Sequence, residues 1–182
     1  VSSAAVYGFS EKELTTVDYP QPRTWYGTSK LRGESMFLRL SPQRKVHVLR
    51  CANVYGYSPS IRFDAVINRF AWQAHFEGRL TIEGDGSQSR PFIHINEAAQ
   101  AMIRLLSSDV PTGIYNLIGF NQSILELTNV LQTIYPKLER MFVEQDMPRQ
   151  GLRVLASKEL GVQEHDIKDD LFRFTKQFSF SA

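Results

Sequence analysis

The sequence has little cysteine and no long apolar run, and these two absences exclude several classes of protein. Cys51 is the only cysteine in 182 residues, so the chain can form neither an internal disulfide nor a cysteine metal cluster. A single cysteine fits a reducing compartment, and we expect a cytoplasmic protein. No apolar stretch reaches the roughly 20 residues that a membrane-spanning helix needs. We therefore expect no membrane partner and, since the histidines show no ligand spacing, no metal site.

An excess of charge of one sign is also missing. The 21 Lys and Arg residues nearly balance the 19 Asp and Glu residues, which leaves a net charge of +2. Such a balance gives little support to nucleic-acid binding, and we expect no nucleic-acid partner. The 42% hydrophobic and 22% charged composition is that of an ordinary globular protein, and the length suffices for one domain with a real core.

Short apolar segments alternate with segments of helical periodicity along the chain. Strands are predicted at 1–7, 45–51, 80–83, 91–95, 114–117 and 138–143, helices at 26–40, 63–77, 96–106, 123–135 and 167–178, and loops at 10–23 and 53–59. Ser123, with Glu126 three residues later, has the spacing of a capping box at a helix start. The alternation predicts an α/β fold with a largely parallel sheet.

Three residues near the start of the chain can form a proton-transfer site. Tyr26 and Lys30 are four residues apart in a predicted helix, so their side chains share one face. A phenol ordinarily has a pKa near ~10, too high for a base at neutral pH, and a neighbouring ammonium favours the phenolate. Ser3, at the end of an apolar run, can hydrogen-bond a reacting oxygen. This set suits hydride chemistry at an alcohol carbon, which needs a nicotinamide because no side chain accepts hydride. For the Tyr–Lys pair alone, a tyrosine packed on a lysine stem is the alternative.

Five sequence segments, taken in their order along the chain, identify a protein family far more specifically than this Tyr–Lys pair does. They are Ser-Ser-Ala-Ala-Val-Tyr-Gly at 2–8, Tyr-Gly-Thr-Ser-Lys at 26–30, Leu-Arg-Cys-Ala-Asn-Val-Tyr-Gly at 49–56, Leu-Thr-Ile-Glu-Gly-Asp-Gly-Ser-Gln-Ser-Arg-Pro-Phe-Ile-His at 80–94 and Gly-Ile-Tyr-Asn-Leu-Ile-Gly at 113–119. Over about residues 1–160 the chain resembles the C-terminal part of an extended short-chain dehydrogenase/reductase, in the NAD-dependent nucleotide-sugar epimerase/dehydratase branch.

This resemblance implies a fold and a division of labour. The fold would be the C-terminal part of a Rossmann-like parallel sheet with a smaller α/β substrate-binding domain. Residues 1–56 would be a remnant of the NAD-binding Rossmann domain with the catalytic helix. Residues 57–182 would mainly bind substrate, while 92–117 would pack back on the Rossmann sheet.

The resemblance also implies a catalytic role for each residue of the triad. Tyr26 would be the catalytic acid/base. Lys30 would hydrogen-bond the nicotinamide ribose, so that Tyr26 and Lys30 together contact the cofactor, NAD. Ser3 would bind the hydroxyl or ketone of the sugar substrate.

Substrate binding is implied for three further residues. Asn53 and Arg90 match the residues that contact the substrate diphosphate, and an arginine fork suits phosphate oxygens. Arg149 lies where a second nucleotide-facing arginine is common. The alternative for Asn53 is that its amide only satisfies loop carbonyls. Pro91 and Glu97 depart from the family pattern, and these departures leave the exact sugar nucleotide open.

A glycine-rich turn between a strand and a helix, the pyrophosphate site of dinucleotide-binding folds, does not precede Ser3. In the family that half lies N-terminal to the serine, so we expect a front half before Val1. We also expect residues 1–182 alone to bind NAD weakly or not at all, which calorimetry would test. The full-length form is expected to be a homodimer.

These inferences predict an NAD-dependent epimerase that acts on a nucleotide-linked sugar by transient oxidation at a sugar carbon. A dehydratase usually needs an acidic pair just after the serine, where this chain has Ala4 and Ala5. A 4-keto-sugar reductase, a dehydratase and the use of NADP stay open. From another class, a non-catalytic binding scaffold or an inactive fragment also stays open.

Overall fold

The computed structural model describes residues 1–144, 146, 149–163 and 166–178. Numbered in chain order, the strands β1 to β10 are Ser2–Ser3, Ser10–Leu14, His47–Cys51, Asn53–Tyr55, Arg79–Glu83, Ser89–His94, Gly113–Leu117, Phe120–Ser123, Glu139–Val143 and Leu152–Val154. The α-helices α1 to α5 are Trp25–Leu38, Val66–Trp72, Ile95–Leu106, Ile124–Ile134 and Ile167–Lys176. Short 3₁₀ helices cover Ala4–Tyr7 and Lys158–Leu160, and a π-helical turn, Gln73–Glu77, extends α2.

The strands form four small sheets in which parallel pairing dominates. One sheet has the order β1-β3-β7 and is parallel throughout, and β10 pairs with β2 and β5 with β9, both in parallel. In the remaining sheet, β4-β6-β8, strand β6 is parallel to β4 and antiparallel to β8. Helices separate most of the parallel strands, as crossover connections between parallel strands usually require. The predicted α/β fold with a largely parallel sheet is confirmed.

The first predicted strand is much shorter than the sequence pattern indicates. Only Ser2–Ser3 pairs with β3, and the chain then turns into the 3₁₀ helix Ala4–Tyr7. The turn begins there because the Ser3 hydroxyl accepts a hydrogen bond from the Ala5 backbone N–H at 3.2 Å. A serine oxygen at such a position competes with the strand ladder for the backbone.

Two segments that were predicted as loops each contain a strand, so these predictions were wrong in part. The segment 10–23 contains β2, whose partner β10 lies far away in sequence. The segment 53–59 begins with β4, which pairs with β6 in the register Asn53 to Phe92. Both strands are short and gain their hydrogen bonds from distant segments, so local composition carries no signal for them.

The buried side chains form two clusters. The first packs α3 and the 3₁₀ helix Ala4–Tyr7 against the sheet β1-β3-β7, and the second packs α2, α4 and α5 against β5. Strand β6 contributes to both, because Ile93 (0% exposed) lies in the first and its neighbour Phe92 (1% exposed) in the second. Successive side chains of a strand point to opposite faces. The predicted division near residue 56 stays a prediction.

None of the helices described here has both the length and the apolar character to cross a membrane.

Candidate active site

Ser3 stands at the carboxyl end of β1, where the chain leaves the sheet. Its backbone is extended (φ −144°, ψ 147°), and its side chain is half-buried. In the neighbouring strand Cys51 is its register partner. Carboxyl ends of parallel strands are where α/β folds commonly bind ligands, so this position suits a substrate contact.

Helix α1 carries Tyr26 and Lys30 past this strand end. The helix begins after Thr24, whose hydroxyl accepts a hydrogen bond from the Gly27 backbone N–H at 3.0 Å. A side chain at Gly27 could not be accommodated, because its Cβ would lie 2.7 Å from the Ala5 carbonyl oxygen. Glycine therefore lets the helix approach the backbone two residues after the strand end.

Tyr26 and Lys30 lie side by side on α1, as their spacing predicts. The Lys30 Nζ atom is 5.6 Å from the centre of the Tyr26 ring and donates a hydrogen bond to the Val1 carbonyl oxygen at 3.4 Å. Tyr26 is 56% exposed, so its hydroxyl is open to a ligand.

A cleft of about 960 Å³ joins these residues to more distant parts of the chain. Its lining includes five of the predicted site residues, namely Ser3, Tyr26, Lys30, Asn53 and Arg90. Small-molecule sites typically enclose about 300–1,000 Å³, so this volume is at the upper end, as a large substrate or cofactor requires. Among the described residues, no cluster of three or more His, Cys, Asp or Glu side chains is arranged to hold a metal ion.

Arg90 has guanidinium donors left for a ligand. Its Nη1 atom donates to the Gln150 carbonyl oxygen at 2.7 Å and to the Ser89 carbonyl oxygen at 3.1 Å, and its guanidinium lies 5.9 Å from the Phe9 ring centre. Burial lowers the pKa of Arg90, and the described residues give it no carboxylate partner. An anion bound here would offset that cost of burial.

Asn53 has a structural bond as well as a place on the cleft wall. Its Nδ2 atom donates to the Pro91 carbonyl oxygen at 3.0 Å, which joins β4 to β6. This bond is the alternative role anticipated for Asn53, although the residue itself is exposed.

The structure does not bring Arg149 to the cleft. Its Nη2 atom donates to Glu144 Oε2 at 2.8 Å, and the residue is absent from the cleft lining as described. Its predicted nucleotide contact therefore has no geometric support in this conformation.

Asn68 on α2, within the segment 63–69 where the pocket shape is expected to set specificity, also lines the cleft. It is 3% exposed, accepts from the Gly56 N–H at 3.1 Å and donates to the Arg62 carbonyl oxygen at 3.1 Å, so it fixes the wall that follows β4. A smaller cavity of about 160 Å³ adjoins Ser3 and is lined in part by Phe9 and Arg23, which were not anticipated. Both lie in or beside the segment predicted as a loop, where the sequence gives no sign of convergence.

The sequence is similar to a known protein family and to curated proteins. Residues 1–117 match the model of the NAD dependent epimerase/dehydratase family. The dTDP-D-glucose 4,6-dehydratase of Bos taurus is 32% identical over 135 residues, which cover 72% of this chain and 38% of that protein. The dTDP-4-dehydro-6-deoxy-D-allose reductase of Streptomyces bikiniensis is 35% identical over 134 residues, 68% of this chain and 39% of the relative. The chain thus spans about four tenths of the length of these curated relatives.

Solved structures share the fold over almost the whole chain. The UDP-glucuronic acid 4-epimerase from Bacillus cereus, in complex with UDP-glucuronic acid and NAD, has a TM-score of 0.82 at 26% identity and covers 98% of this chain and 60% of its own. The NAD-dependent NDP-hexosamine 5,6-dehydratase TunA has a TM-score of 0.85 at 23% identity, with coverages of 98% and 62%. The second likeness shows the fold alone.

Proposed function

Because the chain belongs to the NAD dependent epimerase/dehydratase family, we propose that it carries the catalytic and substrate-binding residues of an NAD-dependent epimerase of nucleotide-linked sugars. The observation that carries the proposal is the convergence of Ser3, Tyr26 and Lys30 on one cleft that also holds Arg90. These residues come from β1, α1 and β6, and a packed core alone does not require them to meet.

Tyr26 is the proton acceptor in this proposal. Its phenol oxygen takes the proton of a sugar hydroxyl, and the ammonium of Lys30 lies 5.6 Å from the centre of the phenol ring. The hydroxyl of Ser3 hydrogen-bonds the same sugar oxygen and holds it toward Tyr26. In an epimerase the hydride of the same carbon would go to bound NAD, the sugar ketone would turn over, and the hydride would return to its other face while Tyr26 gives the proton back to the oxygen.

The donor set fits the nicotinamide end of NAD. An ammonium has three N–H donors, and Lys30 uses one of them on the Val1 carbonyl oxygen, so donors remain for ribose hydroxyls. Tyr26 and Lys30 would hold the nicotinamide ribose, and NAD, or alternatively NADP, would supply the hydride acceptor when bound. The UDP-glucuronic acid 4-epimerase that shares this fold was solved with NAD.

The nucleotide-sugar substrate is proposed to lie along the cleft from Ser3 toward Arg90. The free guanidinium donors of Arg90 suit the diphosphate, and Asn53 lines the same cleft. Arg149 contacts the nucleotide in this proposal only if it leaves Glu144, with which it now pairs.

Within the family, two other reactions have support from the relatives. The similar curated proteins include a 4,6-dehydratase and a reductase of dTDP-linked sugars. A dehydratase needs an extra acid and base beside the serine, and here the 3₁₀ turn offers Ala4 and Ala5 instead. A 4-keto-sugar reductase needs only Ser3, Tyr26 and Lys30, so it is the stronger alternative. Product analysis separates the three reactions.

A non-catalytic scaffold, or an inactive fragment, is the alternative from another class. A scaffold has no need of a serine, a tyrosine and a lysine on one cleft, and the convergence described above argues against it. The substitution Tyr26→Phe decides between the two readings. It removes only the hydroxyl oxygen of a side chain that is 56% exposed, so the fold should survive.

The test uses the full protein that contains this chain, with NAD and with UDP-glucose, UDP-glucuronic acid and dTDP-glucose as separate probes. We expect Tyr26→Phe to lower turnover by about 10²–10⁴-fold while the melting temperature is unchanged. The matched control is Tyr19→Phe, because Tyr19 is 83% exposed and does not line the cleft. Parental turnover in Tyr26→Phe would sink the catalytic assignment.

A homodimer of the full protein is also proposed, with the outer face of α1 as the contact. Trp25, Met36 and Phe37 are 91%, 68% and 64% exposed on this helix, and an added Cβ at Gly33 meets nothing within 4 Å. Exposed apolar patches of this kind mark interaction sites. Sedimentation equilibrium of the full protein and of Phe37→Glu tests the proposal, and a monomeric parent would refute it.

A cytoplasmic location is proposed from the state of the one cysteine. The one cysteine, Cys51, is buried and unpaired, which suits a reducing compartment. Fractionation of cells that produce the full protein would test this location.

A further inference from the structure

A buried ion pair joins the helix that carries Tyr26 and Lys30 to the strand β3. Glu34 lies on α1 one turn after Lys30, and Arg50 is the last residue but one of β3. Arg50 Nη2 donates to Glu34 Oε2 at 2.8 Å and Arg50 Nε to Glu34 Oε1 at 3.1 Å. Both side chains are 3% exposed, so this is a two-point contact out of reach of solvent.

The pair also reaches the strand that ends in Ser3. Ser2, the residue before Ser3, donates its hydroxyl hydrogen to Glu34 Oε1 at 2.5 Å, and Ser2 and Arg50 are register partners in β1 and β3. The Glu34 carboxylate therefore bonds to both β1 and β3, one residue before Ser3 ends β1.

The face of α1 that carries Tyr26 is fixed to β1 at two points. Positions 26, 30 and 34 are spaced by four and lie on one face of the helix. Lys30 bonds to the Val1 carbonyl oxygen and Glu34 to the Ser2 hydroxyl. In the first turn Gly27, the neighbour of Tyr26, packs against the Ala5 carbonyl oxygen, two residues after Ser3.

On its other side, Arg50 connects to the remainder of the first core. Its guanidinium lies 4.7 Å from the Tyr7 ring centre, and the Tyr7 hydroxyl donates to Asn116 Oδ1 at 2.8 Å. Burial opposes the charge of Arg50, but its interactions with Glu34 and Tyr7 outweigh it and raise the pKa of the guanidinium. Through Tyr7, Arg50 is thus connected to Asn116 of β7.

Stability alone does not explain a charged pair at this place. Two buried charges lose their hydration, and apolar residues of equal volume often serve the fold as well or better. The Arg50 Nη1 atom, moreover, is buried without an acceptor among the described residues, so even the hydrogen bonding is incomplete. The pair does orient α1 relative to β3, because a bidentate contact fixes both the distance and the angle between helix and strand.

We propose that Glu34 and Arg50 are positioning residues that fix the register of α1 against β1 and so set the separation of Tyr26 from Ser3. This inference rests on the proposed function, since it concerns the same site. A misplacement of about 1 Å at a reacting group can lower a rate about 10²-fold, so the register of one helix is sufficient to control turnover.

Ser2→Ala is the discriminating variant, because it cuts the link from Glu34 to β1 and leaves the ion pair with Arg50 intact. In the full protein, with NAD and whichever of UDP-glucose, UDP-glucuronic acid and dTDP-glucose the parent converts, we expect kcat to fall roughly 5- to 50-fold. KM should stay within about 2-fold, because the diphosphate contacts lie elsewhere. Glu34→Asp, which shortens the carboxylate by one methylene, should act in the same direction.

The matched control is Leu131→Val, which trims a side chain of the second core that is 1% exposed and far from α1. It should lower the melting temperature with parental kcat. If Ser2→Ala and Glu34→Asp also keep parental kcat, the pair is structural only and the inference is wrong.

A second measurement is independent of turnover. Crystal structures of the parent and of Ser2→Ala should differ in the distance from Ser3 Oγ to Tyr26 Oη, and an unchanged distance overturns the inference. If the parent converts none of the three probes, the proposed function fails, while these two structures still decide whether the pair sets the register.

Discussion

The reactivity of Cys51, a residue of the cleft wall, is determined by its surroundings. It ends β3 opposite Ser3 and is 8% exposed. Burial raises the pKa of its thiol from 9.0 to about 11. The thiolate is the reactive form, so the folded protein holds this cysteine inert at neutral pH although it borders the cleft.

The raised pKa predicts a loss of stability in alkali. The folded state holds the Cys51 proton more tightly than the unfolded state, so this contribution is complete below pH 9 and is lost as the pH rises from 9 toward about 11. Its size is at most about 3 kcal/mol, from about 1.4 kcal/mol for each pKa unit. Urea denaturation between pH 8 and 11 measures it.

Cys51→Ala should flatten this pH dependence of the free energy of unfolding. Burial also raises the pKa of Tyr7 and Tyr55, so some alkaline loss should persist in the variant at higher pH. The same slope in parent and variant between pH 9 and 10 would contradict the assignment to Cys51.

At the scale of elements, α1 buries fewer of its apolar residues than their periodicity suggests. Helical periodicity correctly predicted the helix, and Leu31 packs against the first core, yet Met36 and Phe37 are exposed while Gly27 and Glu34 are buried. A hydrophobic pattern assumes that the core side of a helix is apolar. Here the core side also includes a close backbone approach and a buried ion pair, and a hydrophobic period reveals neither.

Other elements show where local sequence is sufficient. The capping box of Ser123 and Glu126 is present as predicted, with the Ser123 N–H and Glu126 Oε2 2.7 Å apart, because the motif is complete within four residues. Strand β10 and its partner β2 were missed because each is a short segment stabilised by the other. The i, i+4 spacing likewise predicted correctly that Tyr26 and Lys30 lie side by side. The order of the motifs, in contrast, could not predict that Arg149 pairs with Glu144.

Two glycines of these elements should respond oppositely to alanine. Gly8 ends the first 3₁₀ helix with φ +76°, and a Cβ there would lie 2.2 Å from the Gln21 carbonyl oxygen. We expect Gly8→Ala to lower the free energy of unfolding by about 2 kcal/mol or more. Gly33 lies within α1 with open space around it, so Gly33→Ala should raise it by about 0.5–1 kcal/mol. Urea denaturation measures both, and a harmless Gly8→Ala would contradict the geometry.

At the scale of the whole molecule, the cleft lies where the two cores meet. Its lining takes Ala52 from the first cluster and Phe70 and Ile124 from the second. Strand β6 supplies Ile93 to one cluster and Phe92 to the other, so the cores share a backbone. The cleft therefore keeps its shape only while both cores are intact.

The shared strand predicts one cooperative unfolding transition. Ile93→Val removes a methyl group from the first core and should lower the free energy of unfolding by about 1 kcal/mol. Trp72, which packs against the second core, should report the same shift when its fluorescence is followed in a Trp25→Phe background. The control is Leu127→Ala in the second core, which should move the same transition further. If Trp72 fluorescence does not respond to Ile93→Val, the two cores unfold separately.

The pairing of β2 with β10 means that one part of the fold can form only after a distant, later segment has been synthesised. Residues 10–14 leave the ribosome well before their partner strand, Leu152–Val154. The Gln150 carbonyl that accepts from Arg90 belongs to the same late segment. Contacts between such distant segments form slowly, and until they form the strand edge of β2 is open to other chains. The rim of the cleft therefore cannot form before residue 154 has emerged, long after Ser3, Tyr26 and Lys30 have been made.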